Sequence, residues 1–122
     1  VADYNNHRIR KIAAGTVSTV AGSTGGYADG LGSQAKLYLP TSLAVDAGGV
    51  LYVADWGNGC LRRIETTGQV SLMAGNPRTL GYLDGPAATS VFSRSAGIAV
   101  LPSGALLYVA DSNNRRIRQL TR

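Results

Sequence analysis

The sequence predicts an all-β protein built from four-stranded antiparallel β-propeller blades. The expected ring is incomplete, with one complete blade flanked by two partial ones. Three observations predict this. A block best seen in Leu51-Tyr52-Val53-Ala54-Asp55-Trp56-Gly57-Asn58-Gly59-Cys60-Leu61-Arg62-Arg63-Ile64 recurs from Val1 to Ile12 and from Tyr108 to Leu120. Its aspartates fall at 3, 55 and 111, spacings of 52 and then 56 residues. Two long connections, 22–41 and 75–96, also answer each other: Gly26-Tyr27-Ala28-Asp29-Gly30 matches Gly81-Tyr82-Leu83-Asp84-Gly85. Short strands repeating with a period of roughly 40–60 residues describe propeller blades.

In chain order, Val1-Ala2-Asp3 reads as the tail of a strand and Tyr4-Asn5-Asn6-His7 as a turn, because Asn and Asp bond nearby backbone and tolerate unusual dihedrals. Arg8 to Ile12 reads as a strand, although Ile9 and Ile12 do not alternate cleanly. Thr16 to Ala21 is β-branched and reads as the next. The connection 22–41 carries many glycines and no strand pattern, and loops of this length are often functional. The complete blade then runs as an inner strand (43–46), an Ala47-Gly48-Gly49 turn, a second strand (50–54), the Asp55–Gly59 turn, a third strand (60–64) and an outer strand (69–74). After the second connection, in which Phe92 answers Leu37 and Ser95 answers Pro40, the inner, second and third strands return without an outer one. The domain is therefore a single partial propeller over 1–122, with blade portions at about 1–22, 42–75 and 97–122.

A chain of 122 residues suits one domain, and 44% hydrophobic residues can build a core. No apolar run approaches the roughly 20 residues of a spanning helix. The chain opens inside a repeat, so a piece of a longer propeller is expected. No targeting segment is visible, and the compartment stays open, a secreted protein or ectodomain being one expectation for a longer parent. Net charge is +5, much of it from arginines that the repeat itself places; a basic balance admits nucleic acid as a partner.

The residues Leu51-Tyr52-Val53-Ala54-Asp55, the Asn-containing turn and the Arg/Ile strand after it resemble the NHL-repeat family of β-propellers. Asn5-Asn6-His7-Arg8-Ile9 carries that likeness most directly, and Gly59-Cys60 in place of His-Arg is a departure from it. The resemblance implies a ring of blades whose members serve mostly as platforms for protein or RNA partners. Lyase-like and lactonase-like propeller enzymes are more distant relatives. Such a fold does not by itself fix a function.

Strand alternation puts the long connections and the second-to-third turns on one face, and the tight turns on the other. The first face gathers the candidate binding residues: Tyr4, Asn6 and His7 in the first copy, Tyr27 in the first connection, Trp56 and Asn58 in the second copy, Tyr82 in the second connection, and Asn114 and Arg115 in the third copy. Aromatic rings beside adaptable amides suit recognition. Trp56 stands out because the copies differ there (Tyr4, Trp56, Ser112), whereas Tyr27 and Tyr82 also fit a packing role under their own connections. Asp3, Asp55 and Asp111 read as structural turn residues accepting backbone N–H groups.

No catalytic residue, cofactor or metal site is expected. Five of the seven acids are repeat positions, and no pair of carboxylates is set apart for acid–base work. Asp29-Gly30-Leu31-Gly32 lacks the ligand count calcium takes. His7 and Cys60 lie in different repeats and form neither a metal set nor a nucleophile–base pair; Cys60 reads as a small residue replacing Arg. The expected function is a non-enzymatic protein-interaction platform, either part of a larger propeller or a homo-oligomer that completes its ring with further copies. Two alternatives stand beside it: a propeller enzyme whose active site lies in other blades, and single-stranded RNA binding through the recurrent Arg and aromatic residues.

Overall fold

A computed structural model describes residues 1–122. It is all-β with short 3-10 turns, arranged as three antiparallel sheets that do not close on one another. The first comprises β1 (Ala2–Asp3), β2 (Arg8–Ala13) and β3 (Thr16–Gly22) in that order. The second adds β4 (Gly30–Leu31), β5 (Pro40–Val45), β6 (Leu51–Asp55), β7 (Cys60–Ile64) and β8 (Gln69–Ala74) in the order β4-β8-β7-β6-β5. The third holds β9 (Gly97–Val100), β10 (Leu106–Asp111) and β11 (Arg116–Thr121). No helix is long and apolar enough to cross a membrane.

Two expectations are corrected. The inner strand of the complete blade begins at Pro40 rather than 43, because Pro40 already pairs with Asp55 across a bulge. The first connection is not free of strand: Gly30 and Leu31 pair with Val70 and Gln69 on the outer edge of β8. A two-residue strand is too short to show alternation. The second connection makes isolated bridges, Leu83 with Val91 and Leu80 with Phe92.

Blades pack through both faces, which explains why alternation was imperfect in their strands. Val53, Ile64 and Val70 meet Ile9 and Ala21 of the preceding blade. Ala54, Leu61 and Ala74 meet Val109 of the following one. The connections plug the tops of these two cores. Ala35 and Leu37 enter the first and Phe92 the second, all essentially buried. Each connection is thus held by apolar burial before its polar contacts are counted.

Both faces form as strand direction requires. The tight turns meet on one side, where the Ala47 N–H donates to Pro102 O at 2.9 Å. The second-to-third turns and the connections meet on the other.

Candidate functional site

Each second-to-third turn is one turn of 3-10 helix: Tyr4–Asn6, Trp56–Asn58 and Ser112–Asn114. The residue after it adopts left-handed backbone, with φ 56° at His7, 64° at Gly59 and 55° at Arg115. Glycine takes that conformation at little cost, so Gly59 is the residue the turn favours. A Cβ there would stand 2.6 Å from Leu80 Cδ2, which shows how closely the second connection passes over this turn.

The repeated aspartate has a larger role than turn fixing. Asp55 makes no side-chain bond to the backbone of its own turn. Its Oδ1 accepts the Tyr38 N–H at 2.7 Å, seventeen residues back in the connection. Its Oδ2 accepts Asn58 Nδ2 at 2.8 Å and Arg62 Nη1 at 3.1 Å. Asp111 repeats the pattern with Ser93 N–H, Asn114 Nδ2 and Arg118 Nη1. In the first copy Asp3 accepts Asn6 and Arg10. Asp55 and Asp111 thus accept a backbone N–H, as expected, but from the connection rather than from their own turn, and these carboxylates join turn, third strand and connection.

Arg62 completes the joint. It is fully buried, and it donates to Lys36 O at 3.0 Å, Ala28 O at 2.9 Å and Asp29 Oδ1 at 2.6 Å. Arg118 does the same with Val91 O, Leu83 O and Asp84. The planar guanidinium fork suits several fixed acceptors at once. Burial pushes the Asp55 carboxyl above its ordinary value, opposed first by the Asn58 bond and then by the Tyr38 N–H and Arg62.

Several expected binding residues belong to this framework. Asn58 is buried, and its amide also donates to Gly26 O at 2.8 Å. Asn114 donates to Gly81 O at 2.6 Å, and Asn6 is bonded to Asp3. His7 Nδ1 accepts the Leu39 N–H at 3.1 Å, and its ring lies 5.4 Å from that of Tyr38. Tyr27 is half-buried with the Arg62 guanidinium 4.5 Å from its ring centre. Cys60 lies buried beneath Gly75, and desolvation pushes its thiol far up, out of reach of the thiolate. Arg116, at the same repeat position, instead bonds Asn114 O at 3.0 Å.

Tyr82 is exposed, with Arg116 4.2 Å from its ring centre and its hydroxyl donating to Asp84 at 2.6 Å. That bond, and then Arg118, hold the Asp84 carboxyl below the usual range. The stabilisation is fully present above about pH 4 and is lost as pH falls through the folded-state value. The stability difference between wild type and Asp84→Asn, measured by urea unfolding, is expected to shrink below about pH 4. A pH-independent difference contradicts this.

What remains free on this face is a small cluster. Tyr4 is 37% exposed, and its ring meets that of Trp56 edge-on at 6.1 Å. The exposed Arg94 guanidinium lies 4.5 Å from the Trp56 ring centre. Tyr38, 44% exposed, packs against Gly57. Arg115 is exposed at its own turn. Arg94 was missed by sequence reasoning, and Tyr38, which the sequence places on this face, was not singled out for binding. Leu39 stands at the position of Arg94 and Ser93 at that of Tyr38, so neither is a repeat feature.

Comparisons bear on the whole of this architecture. A family profile described as NHL repeat matches residues 37–64. The chain is 34% identical over 95 residues to human NHL repeat-containing protein 2, covering 76% of this chain and 13% of that protein. It superposes on a protein of unknown function from Bacteroides thetaiotaomicron with TM-score 0.88 and 25% identity, over 98% of this chain and 31% of that one. A Bacteroides thetaiotaomicron protein described as auxiliary nutrient binding gives TM-score 0.81 and 26% identity, over 95% and 32%. The chain thus spans about an eighth of the curated relative's length and a third of these solved chains.

Proposed function

Since the chain is a run of NHL-repeat β-propeller blades, we propose that it is a non-enzymatic protein-interaction platform. Partners dock on the face formed by the connections and the second-to-third turns. The observation that carries this reading is the Tyr4–Trp56 pair with Arg94, a cluster of exposed Tyr4 and Arg94 around a half-buried Trp56, left outside the framework of buried polar bonds. Tyr, Trp and Arg are the side chains that contribute most at protein interfaces. The acids support it too. Each of the seven is held by an arginine or, for Asp46, by Tyr52 and two backbone N–H groups. A carboxylate so engaged is poorly placed to exchange protons with a substrate.

The test is selection of phage-displayed random dodecapeptides on the full chain. Enriched peptides are expected to lose at least about tenfold in affinity on Trp56→Ser, the scale of a central interface residue. Peptides that bind wild type and variant equally would remove the reading.

A further inference from the structure

Resting on that reading, we propose that the segment docking on this face is an acidic protein segment, and that Arg94 stacked on Trp56 reads one of its carboxylates. Arg94 makes no side-chain hydrogen bond and no ion pair within the chain, and its guanidinium carbon lies over the Trp56 ring, 4.5 Å from its centre. The ring shields one side of the guanidinium, and none of its N–H groups is engaged within the chain. A fork held in place this way loses less freedom on engaging a carboxylate bidentately. Tyr4, edge-on to Trp56, supplies an apolar wall for the residue beside the carboxylate.

The charge distribution points the same way. Arg10, Arg62, Arg63 and Arg118 account for all six ion pairs. Arg8, Lys36, Arg78, Arg94, Arg115 and Arg116 lie on or beside the turns and connections and pair with no acid. The uncompensated positive charge is therefore concentrated on the docking face, which steers an acidic partner to it. A nucleic acid fits less well. Arg62 and Arg118 are buried out of reach of phosphates. Trp56 is already covered by Arg94, so no row of open ring faces remains for successive bases.

The same selection tests this separately from the platform reading. Enriched peptides are expected to carry Asp or Glu, and Arg94→Gln is expected to weaken them about tenfold or more, the loss of a charge-assisted bond. Lys11→Gln, the same charge change off this face, should leave them within about twofold. Peptides that need Trp56 but are neither acidic nor sensitive to Arg94→Gln overturn the acidic partner and leave the platform standing. Peptides indifferent to both variants, or recovery of no specific peptide, overturn both. Binding of an oligouridylate that displaces the peptides and depends on Arg94 overturns the protein partner in favour of RNA.

Discussion

Arg62→Ala is expected to destabilise the chain by about 3–5 kcal/mol, the cost of leaving a buried charge without its partner. Asp55 and Arg62 are both fully buried. Removing the guanidinium leaves the buried Asp55 carboxylate without its counter-charge, with only the Tyr38 N–H and Asn58 to hold it, and takes one of two donors from each of Lys36 O and Ala28 O. Single domains have only about 5–15 kcal/mol in total, so the loss should be plain in urea unfolding followed by the fluorescence of Trp56, the one tryptophan. The copies give an internal scale. In the first blade the Arg10–Asp3 pair is about a quarter to a third exposed. Arg10→Ala is therefore expected to cost about 1 kcal/mol or less, since water screens such a pair. Equal effects at Arg10 and Arg62 would contradict the role given to burial.

The second large effect is expected at Gly57, where the other copies have Asn5 and Asn113. A Cβ on Gly57 would stand 2.5 Å from Tyr38 Cδ1 and 2.6 Å from Tyr38 O. The Gly57 N–H donates to that carbonyl at 2.7 Å, whereas the corresponding bond from Asn113 to Ser93 O is 3.2 Å. Glycine is thus needed because Tyr38 crowds the turn, and the third blade has Ser93 there and a looser approach. Gly57→Asn alone is expected to cost about 1–3 kcal/mol by overpacking. Adding Tyr38→Ser should recover most of the loss, the coupling expected of residues in contact. Simple additivity of the two substitutions, read from urea midpoints, would contradict this.

The fold was legible because the repeat announces it. Three copies of one block, read together, gave the strands, the turns and the two faces. The framework inside the face was less legible. Arg10, Arg62 and Arg118 look like their neighbours Arg8, Arg63 and Arg116 in composition. A signal was nevertheless present. Each stands seven residues after its aspartate, and that position is Arg in all three copies. The position of Arg8 and Arg116 accepts Cys60, and that of Arg63 accepts Lys11 and Gln119. Fixed offsets between opposite charges mark a joint; variable ones mark a surface. The same logic makes the Asn of each turn framework and Trp56 distinctive. Arg94 could not be found this way, because its contact with Trp56 comes from a connection without periodicity whose counterpart carries Leu39.

Residues that hold the face are distinct from residues that use it, and Trp56→Ser tests that separation most directly. The folded variant, checked by its circular dichroism and urea midpoint, is titrated with peptides selected on the wild-type chain. The predicted result is a midpoint close to wild type, with binding reduced by about tenfold or more. Unchanged binding in a folded Trp56→Ser chain, or collapse of the fold, would contradict it.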